Sequence, residues 1–96
     1  MDDAGLLAAL KVNLGITGSG YDARLGQLIT AAKEAIAREG AKLNYQSFEN
    51  CQIVIMYADW MWRKRDTQEP MPRMLRWQLN NLIFSQHMRG GEADAD

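Results

Sequence analysis

Apolar residues recur every three or four positions through most of this 96-residue chain, and the alternation that marks half-buried strands is scarce. Leu6, Leu7, Leu10 and Leu14 follow helical spacing, with Asp2 or Asp3 placed to cap the first turn and Gly15 to close the last. A flexible link, GITGSG, carries Ile16 as an apolar plug for the core. The stretch SGYD then has the form of a capping box, with Ser19 at the cap and Asp22 three positions on. Leu25, Leu28, Ile29, Ala32 and Ile36 make one stripe on a second helix that runs to about Glu39, and Gly40 suits the left-handed position beyond it. Arg24, Gln27, Lys33, Glu34 and Arg38 fall largely away from that stripe, so this helix covers a core on one side.

The next periodic segment differs in kind. Ser47 is placed as an N-cap and Glu49 adds negative charge to the first turn. Phe48, Cys51, Ile53, Val54, Ile55, Met56, Tyr57, Ala58, Trp60, Met61 and Trp62 then cover every direction around the helix axis. A helix apolar all round must be buried all round, and three other helices in so short a chain can hardly enclose one completely. The segment is therefore either the centre of a four-helix core or a helix that also faces a partner, and both can hold together. DTQEPMP follows as a polar connection, and Pro72 fits the first turn of a fourth helix over about 72 to 88. That helix buries Leu75, Leu79, Leu82 and Ile83 and carries Met74, Trp77 and Phe84 to the side, ending at Gly90.

These elements predict an all-α fold: a single small four-helix domain over residues 1–89, with a short first helix, two longer central helices and a C-terminal helix. Residues 90–96, GEADAD preceded by a second glycine, are small and acidic without apolar anchors and are expected to be disordered. A chain of this length has one modest core, burying roughly 60 to 65% of the surface its unfolded form exposes. Neither an internal repeat nor a second domain is visible.

Charge and composition narrow the function. The formal net charge is −1 and the sequence pI about 5.8, so no global positive field draws the chain to nucleic acid or anionic lipid. One cysteine, Cys51, forms no intrachain disulfide, and with one histidine, His87, there are too few soft ligands for a structural zinc. Cys51 reads as a small buried apolar residue in a reducing compartment. The start, MDDAGLLAAL, lacks the basic region and continuous apolar run of a signal peptide, and IVIMYADWMW is about half a membrane span and contains Asp59. The chain is expected in the cytoplasm, with no membrane contact. GITGSG lacks the strand and the lysine of a phosphate loop, Cys51 and His87 have no orienting partner, and Asp59 and Asp66 do not make a convincing acid–base pair. No enzyme, cofactor or metal is expected.

What stands out is ADWMWRKRDTQEP, where two tryptophans and a methionine adjoin Arg63, Lys64, Arg65 and Asp66. Cations at a helix C-terminus interact favourably with the macrodipole, which accounts for them without any ligand. Six Lys or Arg lie between Trp62 and Arg89 against only Asp66 and Glu69, which raises the question of DNA. RWQLNNLIFSQHMR, however, puts leucines where a recognition helix exposes polar side chains. Interleaved Trp and Arg with few Lys is the composition of a protein interface. Tyr57, Trp60, Trp62, Arg63 and Arg65 are the candidate contact residues, with Arg73, Arg76 and Trp77 of the fourth helix expected near them.

In this order of elements the chain resembles the small head–tail connector proteins of long-tailed bacteriophages, the head-completion or adaptor proteins beneath the portal. The resemblance covers roughly residues 3 to 88. It rests on DARLGQLITAAKEAIAREG, where Asp22, Leu25, Leu28, Ile29, Ala31, Ala32 and Ile36 match the family's habit, and on YADWMWRKRD, where Trp62, Arg63, Arg65 and Asp66 match its aromatic, basic, acidic ending. It departs at the C-terminus, where many relatives carry a Pro-Tyr-Arg-like segment and this chain reads SQHMRGGEADAD. The resemblance implies a viral structural protein without catalysis, a homo-oligomeric ring of about twelve subunits built from heterologous contacts. It implies docking on the portal after DNA packaging, a stopper or tail-completion protein as next partner, and DNA passing through the lumen without sequence-specific binding. The acidic tail is then expected either to order on docking or to serve as a solubilising segment. The other class left open by the residues is a small helical dimeric regulator or adaptor, with nucleic acid as its candidate ligand.

Overall fold

A computed structural model of the chain describes the backbone of residues 1–95 and the side chains of 1–88; the backbone of the fourth helix continues to Ala95, past the end expected at Gly90, and the side chains of the acidic tail lie outside the described residues. Four helices follow in chain order: α1 (Asp3–Leu14), α2 (Asp22–Arg38), α3 (Phe48–Thr67) and α4 (Arg73–Ala95). Among the described residues no strand forms. The fold is the all-α, four-helix domain that the apolar spacing predicts.

Local chemistry fixes most of the boundaries. Asp2 caps α1 by accepting from the Gly5 N–H at 2.8 Å. At the other end Gly15, at φ 74, lets its N–H reach the Val12 carbonyl while Ile16 N–H reaches Lys11, the paired bonds of a Schellman ending. The same arrangement closes α2: Gly40, at φ 105, donates to Ala37, and Ala41 donates to Ile36. Ser47 caps α3 through the Asn50 N–H at 3.3 Å. The capping box expected at Ser19 and Asp22 does not form. Ser19 offers its backbone carbonyl to the Asp22 N–H in a turn, and Tyr21 occupies the cap position without a side-chain bond. The Asp22 carboxylate lies instead 2.8 Å from Lys11 Nζ, drawn out of the local box by a cation on α1.

α3 is the centre. It packs against α1, α2 and α4, most extensively against α2. Cys51, Ile53, Val54, Ile55, Tyr57 and Ala58 are all buried, and the side chains of three successive positions, 53 to 55, point in directions spread over roughly 200° of the axis. Three neighbouring helices and the α2–α3 loop enclose this part of the helix, while Phe48 is exposed and Met56, Trp60, Met61 and Trp62 stay partly open, so the enclosure is incomplete, as a chain this short implies. Ala41 is buried, and Leu43 and Tyr45 pack against the core. Asn50, itself buried, holds this loop by accepting from the Asn44 N–H at 3.0 Å and donating to Ser47 Oγ at 3.1 Å. Lys42 N–H and C=O are both taken by the Gln86 side chain, at 2.7 and 2.6 Å, which ties the loop to α4.

The remaining core comes from one face of each surrounding helix: Leu6 and Leu10, then Leu25, Leu28, Ile29, Ala32 and Ile36, then Leu75 and Leu79. Leu82 and Ile83 are partly buried against it. α4 presents a different apolar set to solvent, with Met74, Trp77, Phe84 and Met88 all exposed. This assignment of faces predicts unequal mutational costs. Leu79→Ala is expected to destabilise the protein by about 2–5 kcal/mol, whereas Phe84→Ala, tested in dilute solution, should stay within about 0.5 kcal/mol. Urea unfolding followed by circular dichroism measures both.

Candidate interaction surface

The C-terminal turns of α3 show why tryptophans and cations are neighbours. Helical spacing of four places Lys64 over Trp60, with Nζ 4.3 Å from the ring centroid; spacing of three places Arg65 over Trp62, with its guanidinium carbon at 4.0 Å. Each such contact is worth about 0.5–1 kcal/mol at an exposed site. Each ring also meets a tyrosine. Tyr21 meets Trp62 edge to face at 5.3 Å between centroids, and Tyr57 meets Trp60 in the same manner at 5.5 Å. Trp60 Nε1–H donates to the Glu69 carbonyl at 3.0 Å, and Arg65 Nε–H donates back to the Trp62 carbonyl at 3.0 Å. Gln68, at φ 53, ends the helix in the left-handed conformation before the polar connection.

Arg63 points to a different partner. It is paired with Asp59 one turn earlier, and Asp59 also accepts from Asn13 Nδ2 of α1 at 2.7 Å. Asp59 is buried, so both partners serve to satisfy a carboxylate inside the fold. The hydrogen bond to that carboxylate raises the Arg63 pKa from its ordinary value. Arg76 makes the equivalent contact between α4 and α2: its guanidinium donates to both Glu39 oxygens, at 2.6 and 3.3 Å, and its pKa is likewise raised by that bond. Burial pushes the Tyr57 phenol above its ordinary value, Glu39 adds to the shift, and Arg76 and Arg38 oppose it.

The eight candidate contact residues thus occupy distinct situations. Trp60, Trp62, Arg63 and Arg65 form one cluster at the end of α3, with the tryptophans half-buried and the arginines exposed. Tyr57 lies beneath Trp60 and is buried, so it supports this cluster from inside. Arg76 is half-buried in its pair with Glu39. Arg73 and Trp77 are exposed on α4. Trp77 belongs to a second surface: a groove of about 760 Å³ between the start of α3 and α4, whose lining includes Phe48, Ile53, Trp77, Asn81 and Leu82. Phe48 is 70% exposed although its place in the apolar run predicts burial, and Met88 is exposed as well. The available signal was the outward spacing of Met74, Trp77, Phe84 and Met88, opposite the leucine face of α4.

Among the described residues no group of three or more His, Cys, Asp or Glu side chains is placed to hold a metal ion, and no helix is long and apolar enough to cross a membrane. Compared with known protein families, curated proteins and solved structures, the chain matches none.

The Tyr57 environment fixes a pH dependence. A pKa raised on folding means the folded state holds the phenolic proton more tightly than the unfolded chain. That contribution to stability is complete below the unfolded value of about 10 and is lost as pH rises through the folded value. Tyr57→Phe should therefore retain more of its neutral-pH stability above about pH 10 than the parent does. Urea midpoints of the two proteins across the alkaline range measure the difference; parallel declines would show that another group governs it.

Proposed function

We propose that this chain is a structural head–tail connector of a tailed bacteriophage. About twelve copies form a ring beneath the portal and join the DNA-filled head to the stopper or tail proteins after packaging, without catalysis. Its place is the virion, at the head–tail interface, with assembly in the host cytoplasm. DNA passes through the lumen without sequence-specific contact. The observation that carries the reading is the aromatic and cationic cluster at the end of α3, anchored on a helix whose middle, from Cys51 to Ala58, is largely core. Trp60 and Trp62 each carry a cation over the ring and meet a tyrosine edge to face while staying partly open to a neighbour. Pre-ordered aromatic area with arginine donors at its edge is what a protein contact uses. The order of the helices, which resembles that of connector subunits, supplies the kind of assembly.

A dimeric helical regulator acting on nucleic acid is the competing reading. Four of the five cations between residues 63 and 76 are engaged within the chain, by Asp59, Trp60, Trp62 and Glu39, which favours the protein contact over a run of phosphates. Salt separates the two, because phosphate-dominated binding weakens steeply as salt rises. The test is native mass spectrometry of the chain with the matching portal assembly. The expected result is about twelve copies on each portal. Trp62→Ala and Arg65→Glu should each lower occupancy at least about tenfold while leaving helix content unchanged. A chain that ignores the portal, or two variants that dock as well as the parent, would overturn the proposal.

A further inference from the structure

The exposed face of α4 has an order of its own. Met74, Trp77, Asn81, Phe84 and Met88 follow alternating spacings of three and four, so they lie within about 80° of one another around the helix. The buried Leu75 and Leu79 occupy the opposite side. α4 is consequently apolar on two faces, and the protein's own core uses one. Read in either direction from Asn81, the outward stripe gives an aromatic residue and then a methionine. The neighbouring Gln78, Asn80 and Ser85 carry no charge, so little opposes a like surface over the middle of the stripe; the exposed Arg73 is a cation at its N-terminal edge.

We infer that a second copy of this chain docks on this stripe, with the two α4 helices antiparallel about a two-fold axis near Asn81. In that arrangement Met74 meets Met88 of the second copy, Trp77 meets Phe84, and the two Asn81 amides meet each other. Opposed helix macrodipoles favour the antiparallel sense. A single polar residue in the middle of an apolar helix seam fixes register, because any slip leaves its amide against hydrocarbon. The area also fits a second copy. Met74, Trp77, Phe84 and Met88 are 57, 63, 66 and 57% exposed, so a pair of chains would hide on the order of 900 Å². That is below the size of stable interfaces and within the range of weak, transient ones, so the dimer is a reversible one. Phe48, exposed across the groove from Trp77, widens the same surface.

This pairing is separate from the proposed ring. It joins a face to itself, whereas ring contacts join two different faces, and it is read in the chain alone without any portal. Sedimentation equilibrium of the full chain should show a monomer–dimer equilibrium, weakened at least about tenfold by Phe84→Asp, with helix content unchanged because Phe84 faces solvent. Mild oxidation of mixed Met74→Cys and Met88→Cys chains should give the cross-linked pair between the two variants, well above either variant with itself. Cys51 is 1% exposed and adds little background. A chain monomeric to millimolar concentration, a dimer indifferent to Phe84→Asp, or Met74→Cys linking mainly to itself would each overturn the inference. None of these outcomes bears on docking to a portal, which is scored with the Trp62 and Arg65 variants.

Discussion

Everything in this fold depends on enclosing α3. A helix with apolar residues in every direction has no face to give to water, and a chain of 96 residues has little material with which to cover it. The protein meets this constraint by using all of its other elements at once. α1 supplies Leu6 and Leu10, α2 its five-residue stripe, α4 Leu75 and Leu79, and the α2–α3 loop supplies Ala41. The polar groups that the shell traps are satisfied internally. Asn50 serves the loop and Asp59 takes Asn13 and Arg63, so their burial is matched by hydrogen bonds.

The two interaction surfaces follow from what that shell leaves uncovered. Near its C-terminus α3 is exposed from Arg63 to Thr67, and there Lys64 and Arg65 lie over the half-buried rings of Trp60 and Trp62. The cations shield apolar rings in the isolated chain and offer donors to a partner, which is why the largest side chains and the densest charge coincide. On α4 the opposite condition holds: a helix recruited to complete the core carries a second apolar face on which, among the described residues, no cation is stacked. The first surface suits a charged, directional contact, and the second suits a like face.

Much of the fold was legible because the deciding interactions are local. Gly15 and Gly40 end their helices through bonds within a few residues, and Ser47 caps α3 by the same short-range chemistry. The inward choice of Leu75, Leu79, Leu82 and Ile83 on α4 was likewise readable from spacing. The misreading at Ser19 and Asp22 has a long-range cause, since nothing near SGYD indicates that Lys11 will hold the carboxylate. Of the candidate surface, the joining of Trp60, Trp62, Arg63 and Arg65 at one helix end was legible. The partners that define their state were not. Tyr21 on Trp62, Asn13 on Asp59 and Glu39 on Arg76 come from distant parts of the chain and depend on how the helices cross. Trp77 is expected near the α3 cluster, but its helical position turns it toward Phe48 and the other groove.

The claim on which the rest stands is that α3 is enclosed by its own chain rather than by a partner. Residue-resolved hydrogen exchange of the dilute, isolated protein tests it directly, since protection reports the free energy of the opening that exposes each amide. Amides from Cys51 to Ala58 are expected to exchange only through global unfolding, as slowly as those of the α2 stripe, and ahead of them should come the last turn of α3. Exchange of the 51–58 amides at loop-like rates, slowing only when a partner is added, would contradict the account.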